Sequence, residues 1–436
     1  PSKKNDSGVT EMGKAGLVVG GGIAGIQAAL DLADQGFTVY VVEKTPSIGG
    51  RMSQLDKTFP TLDCAACIMT PKMVDAGRHR NIKLLTYSEV KEISRVGKNF
   101  RVKILRKPRY VDETKCTGCG TCAQLCPVEV PNDFDERLGV RNAIYIPFPQ
   151  AVPLIYTIDK DNCLECELCQ NVCGVGAVNF QQKPEEIEIE VGAIIVATGF
   201  DIFDVRKKEE YGYGVYENVI TGLALERLLS ASGPTGGHVL RPSDGKIPKK
   251  VAFIQCVGSR DEKSGNLYCS RVCCMYATKE AQLVKEHVPG VDVTIYYMDI
   301  RAFGKGFEEF YQRAKEEFKI NYVKGRVAEI IEDPTTKNLF LRAENIETGG
   351  LVEDEVDMVV LSAGLVPAAT NQVEKILPLP ISDDGFFATA NPKVDPVTTS
   401  IEGVFVAGVA EGPKDIPDAV TQASAAAMKA SIRLRE

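Results

Sequence analysis

The chain has 436 residues, 44% of them hydrophobic and 25% charged, with a net charge of −8. That length implies roughly three domains, and the composition excludes a disordered chain, a collagen and a coiled coil. The acidic balance argues against a nucleic-acid-binding face.

Fourteen Cys stand against three His and no Trp, which disfavours imidazole-based zinc chemistry. They are also grouped: eight from Cys116 to Cys173, four from Cys256 to Cys274, and the pair Cys64 and Cys67. They are too sparse for a disulfide scaffold in a chain this long, and the grouping points to metal. Pro1–Ser7 begins without an initiator Met and lacks the apolar stretch of a secretory signal. No run reaches about 18 apolar residues, so no membrane span is expected and a reducing cytoplasm is the expected location.

Residues 1–13 are polar and expected to be loose. Leu17–Val19 reads as a strand running into Gly20–Gly25, followed by a helix through Leu30 and Leu32 that Gly36 stops. Phe37–Val42 reads as a second strand ending at Glu43, which completes a βαβ opening. Gly20-x-Gly22-x-x-Gly25 therefore lies between strand and helix, the context that a dinucleotide-binding fingerprint requires. The first glycine permits the tight turn, the second lets backbone approach a pyrophosphate, and the third lets helix and strand pack closely. The helix N-terminus then offers free N–H groups to the phosphate. Glu43, eighteen residues after Gly25, is placed for a ribose hydroxyl. The bland alternative is a glycine-rich turn with no ligand.

Three further segments bear on which dinucleotide is expected. Gly49-Gly50-Arg51, Ala197-Thr198-Gly199 and Gly403–Gly408 resemble the motifs of flavoproteins with two dinucleotide-binding domains, such as thioredoxin reductase. The resemblance implies FAD. The cofactor-binding candidates are Gly20, Gly22, Ile23, Ala24, Gly25, Glu43, Lys44, Gly50, Arg51, Met52, Ala197, Thr198, Gly199 and Gly408. Val409 stands where that family carries an acid.

Residues 111–180 change character, with eight Cys and repeated Pro. Cys116-x2-Cys119-x2-Cys122-x3-Cys126-Pro127 is the two-cluster ferredoxin run. Cys163-x2-Cys166-x2-Cys169-x3-Cys173 repeats it, with Gly174 in place of Pro. In such runs three thiolates hold one cubane and the fourth reaches the other. One cluster is thus assigned to Cys116, Cys119, Cys122 and Cys173, and the second to Cys163, Cys166, Cys169 and Cys126. Zinc ribbons use two CxxC pairs and do not match this spacing.

Strand patterns resume at Glu188–Val191 and Ala193–Val196, and a second α/β unit opens at Lys250–Ile254. A helix from about Ser270 to His287, a strand at Val291–Tyr297 and a β segment over 323–356 follow. Where a pyridine-nucleotide reductase would carry a second glycine fingerprint, the sequence reads Gln255-Cys256-Val257-Gly258-Ser259-Arg260. One glycine does not build that cradle. Cys256, Cys269, Cys273 and Cys274 are instead enough for a third [4Fe–4S] cluster, although one of the adjacent pair could be a core thiol. The chain ends in an alanine-rich helix over 418–434.

Gln255–Asp261, Tyr268–Lys279, Thr61–Cys67 with Thr70–Met73, and Gly412–Pro417 together resemble the A-type subunit of heterodisulfide reductase. The resemblance covers essentially the whole chain. It implies an α/β, thioredoxin-reductase-like fold with two dinucleotide-binding domains and an inserted two-cluster ferredoxin domain. It also implies FAD, three [4Fe–4S] clusters, and Lys279 and Glu226 beside the flavin ring. The expected boundaries are 1–110, 181–247 and 365–436 for three parts of the FAD-binding domain. The ferredoxin insert takes 111–180, and a degenerate NAD(P)-binding-like domain with a cluster motif takes 248–364.

The expected function is electron transfer that splits or relays electrons between a two-electron donor, low-potential ferredoxin and a disulfide- or quinone-linked acceptor, with flavin-based bifurcation as what the resemblance implies. The expected partners are the B- and C-type chains of heterodisulfide reductase, a hydrogenase or dehydrogenase, and ferredoxin. A larger complex is expected, with dimerisation left open. Full-length members carry an N-terminal domain and a C-terminal ferredoxin domain that this sequence lacks, so partner chains are expected to replace them. The alternatives are an NAD(P)H-dependent reductase like the small subunit of glutamate synthase and an electron-wiring protein without catalysis. Cys64 and Cys67 read equally as ligands of a further, shared cluster or as something else, either a redox pair or buried thiols.

Overall fold

Ala15–Val19, Thr38–Glu43, Ile82–Thr86, Ala193–Val196 and Val404–Val406 are short runs rich in Val and Ile. Such runs suit strands covered on both faces. In the computed structural model, which describes residues 14–368 and 372–436, they form one parallel sheet. Its order is Val404–Val406, Ala193–Val196, Ala15–Val19, Thr38–Glu43, Ile82–Thr86. Three separated stretches of sequence therefore build a single sheet. The expectation for residues 1–13 lies outside the described residues.

The helices Ile23–Asp34 and Ile416–Arg435 pack against each other over this sheet. Ala28, Ala29, Leu32 and Ala33 meet Ala423, Ala426, Ala427 and Ala430, all buried. Small side chains let the two axes approach closely, and Leu32 fills the space between. Truncating a buried leucine of this kind to alanine costs about 2–5 kcal/mol.

The second sheet is also parallel, in the order Val219–Thr221, Met358–Ala363, Lys250–Val257, Asp292–Tyr297, Asn321–Lys324. It begins ahead of the boundary expected at 248, because Val219–Thr221 and the helix Gly222–Leu229 belong to it. A three-residue strand has no periodicity to read, so no local pattern marks it. The chain crosses between the sheets twice, where Phe200–Ile202 pairs antiparallel with Leu365–Pro367.

Two antiparallel sheets flank this framework. The β segment expected over 323–356 contains the sheet Val327–Glu332, Leu339–Asn345, Gly350–Val356. The other sheet pairs Asn99–Arg106 with both Ser88–Val96 and Glu185–Val191. Arg106 lies opposite Glu185, so the Cys-rich module leaves and re-enters the framework at one point.

The module is fastened at its neck by Arg109, a residue that no motif singles out. It is 1% exposed and donates to Glu113, Thr157, Thr86 and the Pro46 carbonyl at 2.6–2.8 Å. A second fastening joins Ile48 N–H to Val152 O at 3.0 Å, just ahead of Gly49 and Gly50.

Candidate functional site

The glycine loop takes the form that the spacing required. A Cβ on Gly20 would fall 2.2 Å from Ala197 O, and one on Gly25 would fall 1.9 Å from Gly20 O. Gly22 differs, since a Cβ there would meet only Gly50 Cα at 3.9 Å. Gly50 in turn approaches Gly22 closely, since a Cβ on Gly50 would fall 2.9 Å from Gly22 Cα, so two stretches of bare backbone meet at the start of the helix Ile23–Asp34 and the Gly22 side is left clear.

Glu43 Oε2 accepts from Gly21 N–H at 2.7 Å, and Oε1 accepts from the N–H and hydroxyl of Thr45 at 2.8 Å. A carboxylate offers about four lone-pair sites, so one stays free for a ribose hydroxyl. Thr198 Oγ1 is buried without a partner on the strand-end motif Ala197–Gly199. Gly408 abuts Ala24 from the last motif, where its Cβ would come 2.7 Å from that residue's Cβ. An open backbone cradle, a part-used carboxylate and an orphaned hydroxyl together fit a dinucleotide.

Ile23, Ala24 and Met52 line the same corner, with Ala24 and Met52 buried and Ile23 packed against their core. Lys44 directly follows Glu43. Arg51 reaches Gln54 Oε1 at 3.1 Å, Asp201 at 3.4 Å and Glu136 of the insert at 3.9 Å.

In the insert, Cys126, Cys163, Cys166 and Cys169 line one small apolar recess, with Ile144, Ile158 and Phe180. Cys126 comes from the first run and the other three from the second. Burial, then the neighbouring Cys163, pushes the Cys169 thiol up to about 11. Cys116 and Cys119 lie near Cys122, whose thiol burial raises to about 12. Cys173 Sγ accepts from Ala177 N–H at 3.2 Å and packs on the same small core.

The third set stands where the second sheet would hold a nucleotide. Cys256, next to last in the strand Lys250–Val257, has a φ of 59°, a left-handed conformation that is rare outside glycine. Cys273 and Cys274 open the helix Cys273–His287, whose N-terminus favours a negatively charged group. Burial pushes Cys256 up to about 12, and Cys274 and Cys269 lie near enough to add to the effect. Burial likewise raises Cys273, helped by Cys256, Cys274 and Cys269. Among the described residues no three His, Cys, Asp or Glu side chains converge as they would around a single ion. The four are free thiols close enough to raise one another, and a set of soft sulfur donors of this kind suits an iron–sulfur cluster. Cys64 and Cys67 alone are joined, as a disulfide at the start of the helix Ala65–Arg78, and the other twelve Cys are free. In that joined state the pair offers no thiolates to a shared cluster, and Cys67 is exposed rather than buried.

Lys279 and Glu226 meet as a buried ion pair, which the sequence alone would have left as solvated helix charges. Lys279 Nζ also donates to Lys57 O at 3.0 Å, and Glu226 Oε2 accepts from Asp56 N–H at 2.9 Å. The pair therefore bridges the second sheet's helices to the segment that follows Gly50–Gln54. The neighbouring Arg227, which sequence reasoning did not single out, reaches Asp135 of the insert. No local sequence signal marked it.

These features define a two-sheet dinucleotide-binding architecture of the oxidoreductase type, carrying an iron–sulfur module. Thioredoxin reductase from T. acidophilum has the same fold, with a TM-score of 0.54 at 15% identity over 96% of this chain and 98% of that one. A family model for an NAD(P)-binding Rossmann-like domain matches residues 18–81, and one for a 4Fe-4S dicluster domain matches 98–178.

The A-type iron–sulfur subunit of CoB–CoM heterodisulfide reductase from Methanocaldococcus jannaschii is 59% identical over 98% of this chain and 65% of its own length. The A-type subunit of the H2:CoB–CoM heterodisulfide,ferredoxin reductase of Methanothermobacter marburgensis is 62% identical over 95% of this chain and 63% of its own. The chain spans somewhat under two thirds of those relatives, and over that part it is similar to the heterodisulfide reductase A-type subunits.

Proposed function

We propose that this chain is the FAD- and iron–sulfur-bearing electron-transfer part of a heterodisulfide-reductase-type enzyme. The observation that carries this reading is the position of the Lys279–Glu226 pair. It bonds to Asp56 and Lys57 on the glycine-cradle side, and Lys279 lies about one and a half helical turns beyond the thiols at Cys273 and Cys274. Bound flavin supplies two-electron chemistry there, and clusters carry electrons singly.

The chain's own residues set the stage for that chemistry. Gly20, Gly22 and Gly25 open the backbone to a pyrophosphate, with Glu43 toward a ribose. Three sets of four thiols hold iron: Cys116, Cys119, Cys122 and Cys173; Cys163, Cys166, Cys169 and Cys126; and Cys256, Cys269, Cys273 and Cys274. With flavin bound, the Lys279 ammonium would favour negative charge on the ring, while Glu226 holds that ammonium in place. Gly258 presses against Phe203, where a Cβ would fall 2.1 Å from the ring, so the second sheet has no room for a pyrophosphate turn. That crowding weighs against an NAD(P)H reductase.

In the complete assembly the reactants would be those of the relatives' names, ferredoxin and the CoB–CoM heterodisulfide, with B- and C-type chains and a hydrogenase or dehydrogenase as partners. Division of an electron pair between two acceptors is the finer form of this reading. The test is anaerobic reduction of the chain loaded with FAD, iron and sulfide. Reduced ferredoxin should bleach the flavin and NADPH should not. Bleaching by NADPH alone would replace this reading with a pyridine-nucleotide reductase.

A further inference from the structure

Glu280 follows Lys279 on the helix Cys273–His287 and is 2% exposed. Its carboxyl lies in hydrogen-bond contact with that of Glu226, and no donor group of the protein reaches its Oε2. Two carboxyl groups share a hydrogen bond only when one of them keeps a proton. Glu226 already accepts from Lys279 on Oε1 and from Asp56 N–H on Oε2, so the shared proton falls to Glu280.

The other groups facing Glu280 do not alter this assignment. Tyr276, one turn earlier on the same helix, gives its hydroxyl proton to Ala363 O at 2.8 Å. Asp56 is itself raised by burial and by Glu226, so it adds no cation. Burial, then the charge of Glu226, raises Glu280 well above the ordinary carboxyl range against the pull of Lys279. Space has been kept for the group, as a Cβ on Gly222 would sit 3.1 Å from Glu280 Oε2.

We infer that Glu280 is a positioning residue that stores one proton behind the Lys279–Glu226 pair and resupplies Lys279 through Glu226. The inference rests on the reading above that places the flavin ring beside Lys279. When Lys279 Nζ gives a proton to the reduced ring, an O–H bond of Glu280 breaks and the proton passes across Glu226. An N–H bond of Lys279 then forms again. No electron moves in this step, and Glu280 is reprotonated from solvent afterwards.

The experiment compares the FAD- and cluster-loaded protein with its Glu280→Gln variant. At neutral pH the wild type should show the infrared carbonyl band of a buried, protonated carboxyl, and the variant should lack it. A band missing from the wild type, or surviving in the variant, overturns the inference. Should Glu280→Gln fail to fold, Glu226→Gln serves instead. Glu280 should then ionise against Lys279 and lose its band, and an unchanged band overturns the inference. The rate of proton uptake during flavin reduction, followed by stopped flow with a pH indicator, should fall by at least about tenfold in Glu280→Gln. The pH slope of the midpoint potential should stay as in the wild type, because Glu280 ends the step protonated again. An unchanged rate overturns the relay. Lys279→Gln separates the two possible failures. If it moves the midpoint potential while Glu280→Gln leaves the rate unchanged, the relay alone is wrong. If Lys279→Gln leaves the potential where it was, the flavin does not lie beside Lys279.

Discussion

Arg227 Nε donates to Asp135 Oδ1 at 2.9 Å, and both residues are buried. Arg227 also gives Nη1 to Gln54 O at 3.1 Å and lies over the Phe134 ring. One side chain of the second sheet's helix thus holds both the Cys-rich insert and the segment after the glycine cradle. Arg227→Ala should destabilise the protein by about 3–5 kcal/mol, because it strands a buried carboxylate. Denaturant titration reads the loss, and trypsin should then cut between 107 and 184 first. Replacing both partners, as Arg227→Met with Asp135→Leu, should recover most of the stability. Lysine should not substitute, since it lacks the planar fork that serves two acceptors at once.

Gly22 and Gly25 should fail in different ways. Gly25→Ala places a methyl 1.9 Å from Gly20 O and should prevent the first sheet from forming. Gly22→Ala meets nothing nearer than 3.9 Å, so the flavin-free protein should melt at the wild-type temperature. It should still lose flavin, because the methyl occupies the space a pyrophosphate needs. Flavin stoichiometry measured beside melting temperature tests both statements.

Cysteine replacements should remove iron in steps. Cys169→Ser and Cys273→Ser should each lower bound iron by about a third, if each set holds one cluster of equal size. Cys64→Ser should leave iron unchanged in the isolated chain, since that sulfur is joined to Cys67. Iron and acid-labile sulfide analysis decides the matter, and a loss of iron with Cys64→Ser would reassign the pair as ligands.

In the iron-free chain the thiols should alkylate in a fixed order. The N–H and hydroxyl of Thr121 lower the Cys119 thiol, which is exposed. Burial, then Cys274, pushes Cys256 up to about 12. Only the thiolate reacts, so Cys119 should label first at pH 8, where on the order of one Cys256 in ten thousand is ionised. Cys256 labelling should then rise about tenfold per pH unit toward 12, while Cys119 levels off below the ordinary thiol range. Mass spectrometry of timed aliquots reads both. Equal rates at pH 8 would show that Cys256 is not buried in solution.

The cysteine runs and the glycine loop were legible because their chemistry is local. Spacing along a turn decides which thiols can surround one space, and the fingerprint glycines Gly20, Gly22 and Gly25 carry their own steric reason. Even the exchange of Cys126 into the second set follows from that spacing. Arg109, Arg227 and Glu280 were not legible, because each meets its partners across long separations in sequence. Arg227 and Asp135 are 92 positions apart, and Glu280 is one acid among many until Glu226 arrives beside it. The strand Val219–Thr221 was missed for a related reason. Three residues show no pattern, and only pairing with Met358–Ala363 makes them a strand.

The helix Gly222–Leu229 commits the whole chain to one geometry. On adjacent residues it carries Glu226, which takes Lys279 and Asp56, and Arg227, which takes Asp135 and Gln54. Swinging any one of the three bodies away would pull a buried charge off its partner, at a cost of several kcal/mol. Electron carriers seated in these three bodies would then keep their separations fixed, and separation is the quantity on which passage of an electron between them depends most steeply. The timing of such a chain would follow from which carriers are filled rather than from rotation of one body against another.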